Sequence, residues 1–322
     1  MAESLIVAYL LDGKGAGRKL TFDEVKSWQP DDGMLWAHFD YSQQDSQQWI
    51  VQHSGLPDVC TSALIREETR PRTLAVGDGL LLALRGVNLN PSADPEDMVS
   101  IRMYVDEHRI ISSRNRRLLT TDDIIAAIES GRGPKNSADF LCAIIAGLTH
   151  RIENIVDRLE ERADELEAFM LGDSQQVTRS DLAALRGECI AIRRYLSPQR
   201  EAMSSLLAQR VSWLNELSRL DLREVGDHLL RIIENLDATK DRASVIHEEL
   251  VSQMSEQLNR RMYVLSIVSV VFMPLGFLTG LLGVNIAGIP GAEYPHAFVM
   301  FCVGLLLLTA IQVVVFKRFK WM

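Results

Sequence analysis

Four acids recur every seven residues late in the chain: Asp227, Glu234, Asp241 and Glu248. A seven-residue repeat keeps side chains near one side of a coiled helix, so these carboxylates form a line. Continuing the register gives Ser255, Met262, Ser269, Gly276 and Gly283. A companion line, three or four residues on, holds Ser252, Asn259, Ser266, Met273 and Gly280. This seam is acidic at first, then small and weakly polar. Two chemistries suit it. In one, the acids are a solvated face and the small residues mark close helix–helix contacts of the kind membranes favour. In the other, the seam lines an axial pore in a symmetric assembly, where rings of carboxylates concentrate cations and exclude anions. Spacing alone leaves both open.

Donors for a transition metal are sparse. Cys60, Cys142, Cys189 and Cys302 are far apart and form no CxxC, and no HxxxH or HExxH pattern exists. The nitrogen and sulfur sets that zinc prefers are therefore not encoded locally. The cysteines read as reduced thiols without a disulfide frame. His247 adjoins Glu248, and His296 stands just before the second apolar run. Either suits a metal ligand or a proton carrier, and equally a plain exposed side chain. Cys302 and Gln312 lie inside the second run, where a small apolar filler and a hydrogen bond to a neighbouring helix are the simplest roles. A Gly-rich phosphate loop and a nucleophile–base motif are both missing, so the chain does not read as an enzyme or an ATP-driven machine.

The elements that must hold the seam are two apolar runs, residues 263–282 and 297–316. Each is about 20 residues, the length an α-helix needs to cross ~30 Å of hydrocarbon. Arg260 and Arg261 precede the first run, and Lys317, Arg318 and Lys320 follow the second. The outer loop, 283–296, has no Lys or Arg and one acid, Glu293. The positive-inside rule then puts both termini in the cytoplasm and the loop outside. The first residues lack a basic region before an apolar stretch, so no cleaved signal peptide is expected.

With 322 residues, a net charge of −9 and a pI near 5.4, the chain is a poor candidate for nucleic acid. Residues 1–135 alternate strand-like and helix-like segments and predict a cytoplasmic α/β domain. Its strands are expected at 5–11, 34–39, 79–88, 98–105 and 109–113. Val99, Ile101, Met103 and Val105 alternate with polar residues, as in a half-buried strand. Helices are expected at 22–28 behind Thr21, at 42–54, at 57–67 before Pro71, and from Thr121 or Asp122 to Gly131. Residues 136–220 predict long antiparallel helices: 137–171, a break at Gly172-Asp173-Ser174, then 180–196 and 198–214 bent around Ser197-Pro198. The charged stretch 158–167 reads as a solvated helix face. A stalk helix, 221–262, continues without interruption into the first span, with an apolar stripe of Leu229, Ile233, Leu236, Ala243, Ile246, Leu250 and Met254. Residues 263–322 are the two-span membrane part. The fold class is thus an α+β membrane protein.

In the order basic pair, span, Gly283-Val284-Asn285, short acidic loop, second span, basic tail, the chain resembles the CorA family of divalent-cation transporters. Tyr195-Leu196-Ser197-Pro198-Gln199-Arg200-Glu201 and Asn259-Arg260-Arg261 share the likeness. Magnesium members carry Gly-Met-Asn. Val284 in the middle position, together with Glu68-Thr69-Arg70-Pro71-Arg72, resembles the zinc branch of the family.

The resemblance implies a funnel-shaped homopentamer in the lipid bilayer of a bacterial inner membrane, with the first span lining the pore. Gly283, Val284 and Asn285 would form the selectivity filter. Asn259, Met262, Leu265, Ser269, Met273, Gly276 and Gly280 would line the path, and Glu293 and His296 would stand at the outer mouth. The stalk acids Asp227, Glu234, Asp241 and Glu248 are candidates for a regulatory metal. Carbonyl and amide oxygens can bind the water shell of a divalent ion without stripping it. Gly276 stands where many magnesium members have a mid-span hydroxyl, with Thr279 nearby. The expected activity is divalent-cation transport, zinc foremost, passive or proton-coupled, with the transported ion in place of any cofactor. The alternatives are a magnesium, cobalt or nickel channel of the same family, and a non-conducting membrane-anchored scaffold.

Overall fold

The computed structural model describes residues 4–67, 70–171, 178–284, 289, 291 and 294–319. Glu68, Thr69, the break at Gly172-Asp173-Ser174 and Lys320 lie outside that set. The described chain forms two compact units, Met1–His247 and Glu248–Met322.

The first unit is built on one seven-stranded sheet. Its strands are β1 (Leu5–Leu11), β2 (Gly17–Lys19), β3 (Met34–Asp40), β4 (Arg72–Val76), β5 (Gly79–Gly86), β6 (Val99–Val105) and β7 (Arg109–Arg114). Their order is β2-β1-β3-β7-β6-β5-β4. Every pairing is antiparallel except β3 with β7, where Trp36 lies opposite Ile110 and His38 opposite Ser112. Two helices, α2 (Gln44–Gln52) and α3 (Asp58–Ile65), lie between β3 and β4 in sequence. The first helix, α1 (Phe22–Ser27), starts at a capping box: Thr21 accepts from Glu24 N–H while the Glu24 carboxylate accepts from Thr21 N–H.

Both sheet faces are covered. On one, Leu35, Phe39, Leu81 and Ile111 pack with Trp49 and Ile50 of α2 and Cys60 and Leu64 of α3. On the other, Trp36, Leu82, Ile101 and Ile110 pack under α4 (Leu119–Glu129) and α5 (Ser137–Leu171). The half-buried reading of β6 is therefore corrected: Arg102 and Tyr104, on its polar-looking side, are buried too. Arg102 survives there because its guanidinium lies 4.3 Å from the Tyr41 ring and donates to the Glu67 carbonyl at 2.7 Å. Gly86 lets α5 approach β5, since a Cβ there would meet Leu148 Cδ2 at 2.6 Å and Leu118 Cδ1 at 2.9 Å.

The helices depart from expectation at their ends. α4 begins at Leu119, two residues before Thr121. The two segments expected around Ser197-Pro198 are one helix, α6 (Arg179–Ala208), with Pro198 inside it. Proline leaves the Arg194 carbonyl without its helical donor. Packing outweighs that loss: Leu196, Gln199, Ala202 and Met203 are buried, and Gln199 Oε1 accepts from Arg85 N–H at 2.7 Å. Beyond Ala208 the chain turns, and Asp78 accepts from Ser212 N–H at 2.7 Å while its carbonyl accepts from Trp213 Nε1–H. That turn, not helix, occupies 209–214. Asn215 Oδ1 then accepts from Ser218 N–H at 2.8 Å and starts α7 (Glu216–Leu282), earlier than the expected Asp221. At 67 residues α7 is about 100 Å long. The last helix, α8 (Ala297–Arg318), follows the loop.

Candidate functional site

α7 changes character along its length. In the first unit it buries Leu222, Leu229, Ile232, Ile233, Leu236, Thr239, Ala243 and Ile246. Each large apolar side chain so buried contributes about 1.5–3 kcal/mol. The expected stripe stops there: Leu250 is half-buried and Met254 exposed.

Asp227, Glu234, Asp241 and Glu248 are all exposed, away from the buried stripe, as a heptad line on one helix requires. Asp241 pairs with Lys240 at 3.1 Å. In the second unit Asn259, Met262, Leu265, Ser269, Met273, Gly276 and Gly280 are likewise exposed, and nothing comes within 4 Å of where a Cβ on Gly276 or Gly280 would lie. Three hydroxyls of the apolar stretch are turned back onto the helix. Ser266 donates to Met262 O, Ser269 to Leu265 O and Thr279 to Leu275 O, each at 2.9 Å. Pro274 does the reverse and frees the Val270 carbonyl, leaving one acceptor within the apolar stretch.

At the end of α7 the Gly283 N–H donates to Thr279 O at 2.9 Å, and Val284 is exposed. Asn285 and Glu293 lie outside the described residues. His296 is exposed, precedes α8 without a side-chain cap, and holds its ring edge-on to Tyr294 at 5.9 Å. Arg260, Arg261, Lys317 and Arg318 are exposed at the opposite ends of the two apolar stretches. Cys302 is half-buried, and Gln312 Oε1 is buried with no hydrogen-bond partner, so the expected helix–helix bond is not made among the described residues.

Sequence reasoning missed the ion pairs that tie α5, α6 and α7 together. Arg162 meets Glu188 at 2.7 Å, Arg193 meets Asp237 at 2.5 Å, and Arg242 binds both Asp164 and Glu167. The stretch 158–167 is therefore not a plain solvated face: Leu159 and Ala163 are buried within it and its charges reach two other helices. Also missed is His228 on α7, whose Nε2 lies 2.7 Å from Glu153 Oε1 on α5. Partners 75 residues apart leave no local signal in one sequence.

Both α7 and α8 are long and apolar enough to cross a membrane, and neither apolar stretch is buried. A family model described as a CorA-like Mg2+ transporter protein matches residues 31–318. The zinc transport protein ZntB of Yersinia enterocolitica is 36% identical over 317 residues, covering 98% of this chain and 96% of that protein. The divalent cation transporter CmaX of Pseudomonas aeruginosa is 36% identical over 322 residues, covering 99% and 97%. Among solved structures, full-length CmaX aligns with a TM-score of 0.86 at 35% identity over 99% of this chain and 98% of that one. The CorA magnesium transporter of Methanocaldococcus jannaschii aligns with a TM-score of 0.83 over 98% and 99%, and at 16% identity it shows the fold alone. An α/β domain, a long helix and two C-terminal apolar helices, matched end to end by these relatives, place the chain in the CorA-like family of transporter proteins.

Proposed function

We propose that this chain carries divalent cations, zinc foremost, across a bacterial inner membrane through the axial pore of a homopentamer. The observation that carries this reading is the continuous exposed seam on α7. It is acidic through Glu248 and then small and weakly polar through Gly280, with the Ser266 and Ser269 hydroxyls bonded to carbonyls of the helix itself. One chain with two spans cannot enclose a pore, so the seam acquires a function only when copies face one another. Zinc comes first because relatives of similar identity over the whole chain are named for zinc and for divalent-cation transport. The soluble unit and both termini face the cytoplasm, as the basic residues at the span ends require.

In this reading Gly283, Val284 and Asn285 select hydrated cations at the outer mouth, and a ring of Glu293 draws them there. Rings at Met262, Leu265 and Met273 close the path by dewetting. The spans contain no Asp, Glu or Lys, so proton coupling would run through His296, Glu293 or water.

The test is zinc entry into proteoliposomes holding a zinc-sensitive dye, for wild type and Asn285→Ala, with and without an inward pH gradient. Flux that needs Asn285 and rises with the gradient supports proton-coupled transport, and flux that ignores the gradient supports a passive channel. No flux of zinc, magnesium or cobalt from well-folded oligomers would leave a membrane-anchored scaffold instead.

A further inference from the structure

A cleft of about 270 Å³ opens at one end of the sheet, lined by Tyr41, Arg85, Ser100, Asn115 and Arg116, with Tyr195 of α6 beside them. Ser100 lies opposite Arg85 in the β5–β6 ladder and two residues before Arg102 on β6. Opposite residues and alternate residues share a face, so these three side chains leave the sheet on the same side.

The Arg102 guanidinium lies directly behind this lining. It stacks on the Tyr41 ring at 4.3 Å and donates to the Glu67 carbonyl at 2.7 Å, and both residues border the cleft. Arg102 is fully buried, yet its Nε and Nη1 have no hydrogen-bond partner among the described residues. A buried charge without a counter-ion costs several kcal/mol. Burial pulls the Arg102 pKa below the usual guanidinium value, the Tyr41 hydroxyl opposes that, and the positive charge of Arg85 adds to it. The donors in front of Arg102 are open as well. Tyr41, 5% exposed, accepts from Arg102 Nη2 at 3.4 Å, which leaves its own O–H to donate. Ser100, Asn115 and Arg116 form no side-chain hydrogen bond among the described residues.

We propose that this cleft binds a small oxyanion, a phosphate or carboxylate group, between Arg85 and Arg116, with Tyr41 donating to it and Arg102 supplying positive charge from beneath. Guanidinium forks match the oxygens of both groups, and charge-assisted bonds of this kind are the strong ones. Three guanidiniums outnumber the two acids on the rim, Glu67 and Asp97, which are exposed and pair with neither Arg102 nor Arg116. Those rim acids favour a compact anion over an extended polyanion. An anion held on Arg85 also bears on α6, because the Arg85 N–H donates to Gln199 at 2.7 Å and its guanidinium lies 4.6 Å from the Tyr195 ring.

The test uses the full chain in detergent, freed of metal by a chelator and kept at constant ionic strength with sodium chloride. Inorganic phosphate and succinate are titrated separately by calorimetry. The expected result is saturable binding of at least one of them, and the tighter of the two names the group the cleft takes. Arg116→Gln and Tyr41→Phe should each weaken that binding by about tenfold or more, the loss that follows from removing a hydrogen bond to a charged group. Tyr41→Phe keeps the ring on which Arg102 stacks, and Arg116 is exposed, so both variants should fold. The bound anion should raise the melting temperature of the wild type more than that of either variant. No saturable binding of either anion, or affinity undiminished in both variants, overturns the site. Zinc takes no part in these titrations, so their outcome is independent of the transport reading.

Discussion

The Gly283 N–H donates to the Thr279 carbonyl at 2.9 Å, and a Cβ on Gly283 would lie 2.8 Å from that same oxygen. The close of α7 is thus built around a missing side chain, where the candidate filter begins. Gly283→Ala must push the chain off Thr279 and displace Val284. We expect zinc flux in proteoliposomes to fall well below wild type while far-ultraviolet circular dichroism keeps its helical amplitude. Wild-type flux from Gly283→Ala would remove this turn from the filter.

Ser269 gives its hydrogen to Leu265 O at 2.9 Å, so its hydroxyl has only lone pairs left for an ion's water shell. Ser269→Ala should therefore reduce flux less than Asn285→Ala, whose amide can both donate and accept. Side-by-side dye-entry rates check the order, and its reversal would move the selective contact to mid-span.

The exposed line of Asp227, Glu234, Asp241 and Glu248 is the candidate seat for a regulatory cation that the sequence suggested. Changing Asp241 and Glu248 to Asn and Gln should shift the dependence of flux on metal concentration. Asp241 contributes less than Glu248, because Lys240 already neutralises it at 3.1 Å. An unchanged metal titration in the double variant would return these acids to the role of a solvated face.

Arg193 and Asp237 join α6 to α7, and the hydrogen bond from Arg193 holds the Asp237 carboxyl below its ordinary value, with Lys240 adding to it. A carboxyl lowered in the folded state contributes stability above its unfolded pKa of about 3.9 and loses it as pH falls through the lower folded value. Asp237→Asn should cost only ~0.2–1 kcal/mol at neutral pH, since both side chains are partly exposed. It should also flatten part of the fall in melting temperature below about pH 4. Thermal melts from pH 7 to pH 3 read both effects.

Phe140 is fully buried, its ring centroid 4.9 Å from that of Trp36, and joins the start of α5 to the middle of the sheet. Phe140→Ala leaves a cavity there and should lower stability by about 3–5 kcal/mol. Thermal denaturation followed by tryptophan fluorescence measures the loss.

The membrane part was legible because lipid imposes length: two apolar runs of spanning length with basic ends can be counted along the chain. α5 was legible to its end residues, since Leu141, Ile144, Leu148 and Ile152 repeat at helical spacing and their burial follows. β3, β5 and β7 were legible because each is a short apolar run closed by turn residues. β2 and β4 were not, for Gly17–Lys19 and Arg72–Val76 lie at the sheet's two edges and carry little apolar pattern.

What the tertiary structure alone decided is where local rules are overruled or distant residues meet. Pro198 stays helical because the buried side chains around it stabilise α6 by more than one lost hydrogen bond. Arg102 reads as the outward side of a strand, and only the packing of α3 over that face makes it buried. His228 meets Glu153, and Arg193 meets Asp237, because three long helices align in space, a relationship that no spacing along a single chain encodes. The seam on α7 has both origins: its heptad register is written in the sequence, while the exposure of its side chains is a property of the folded helix.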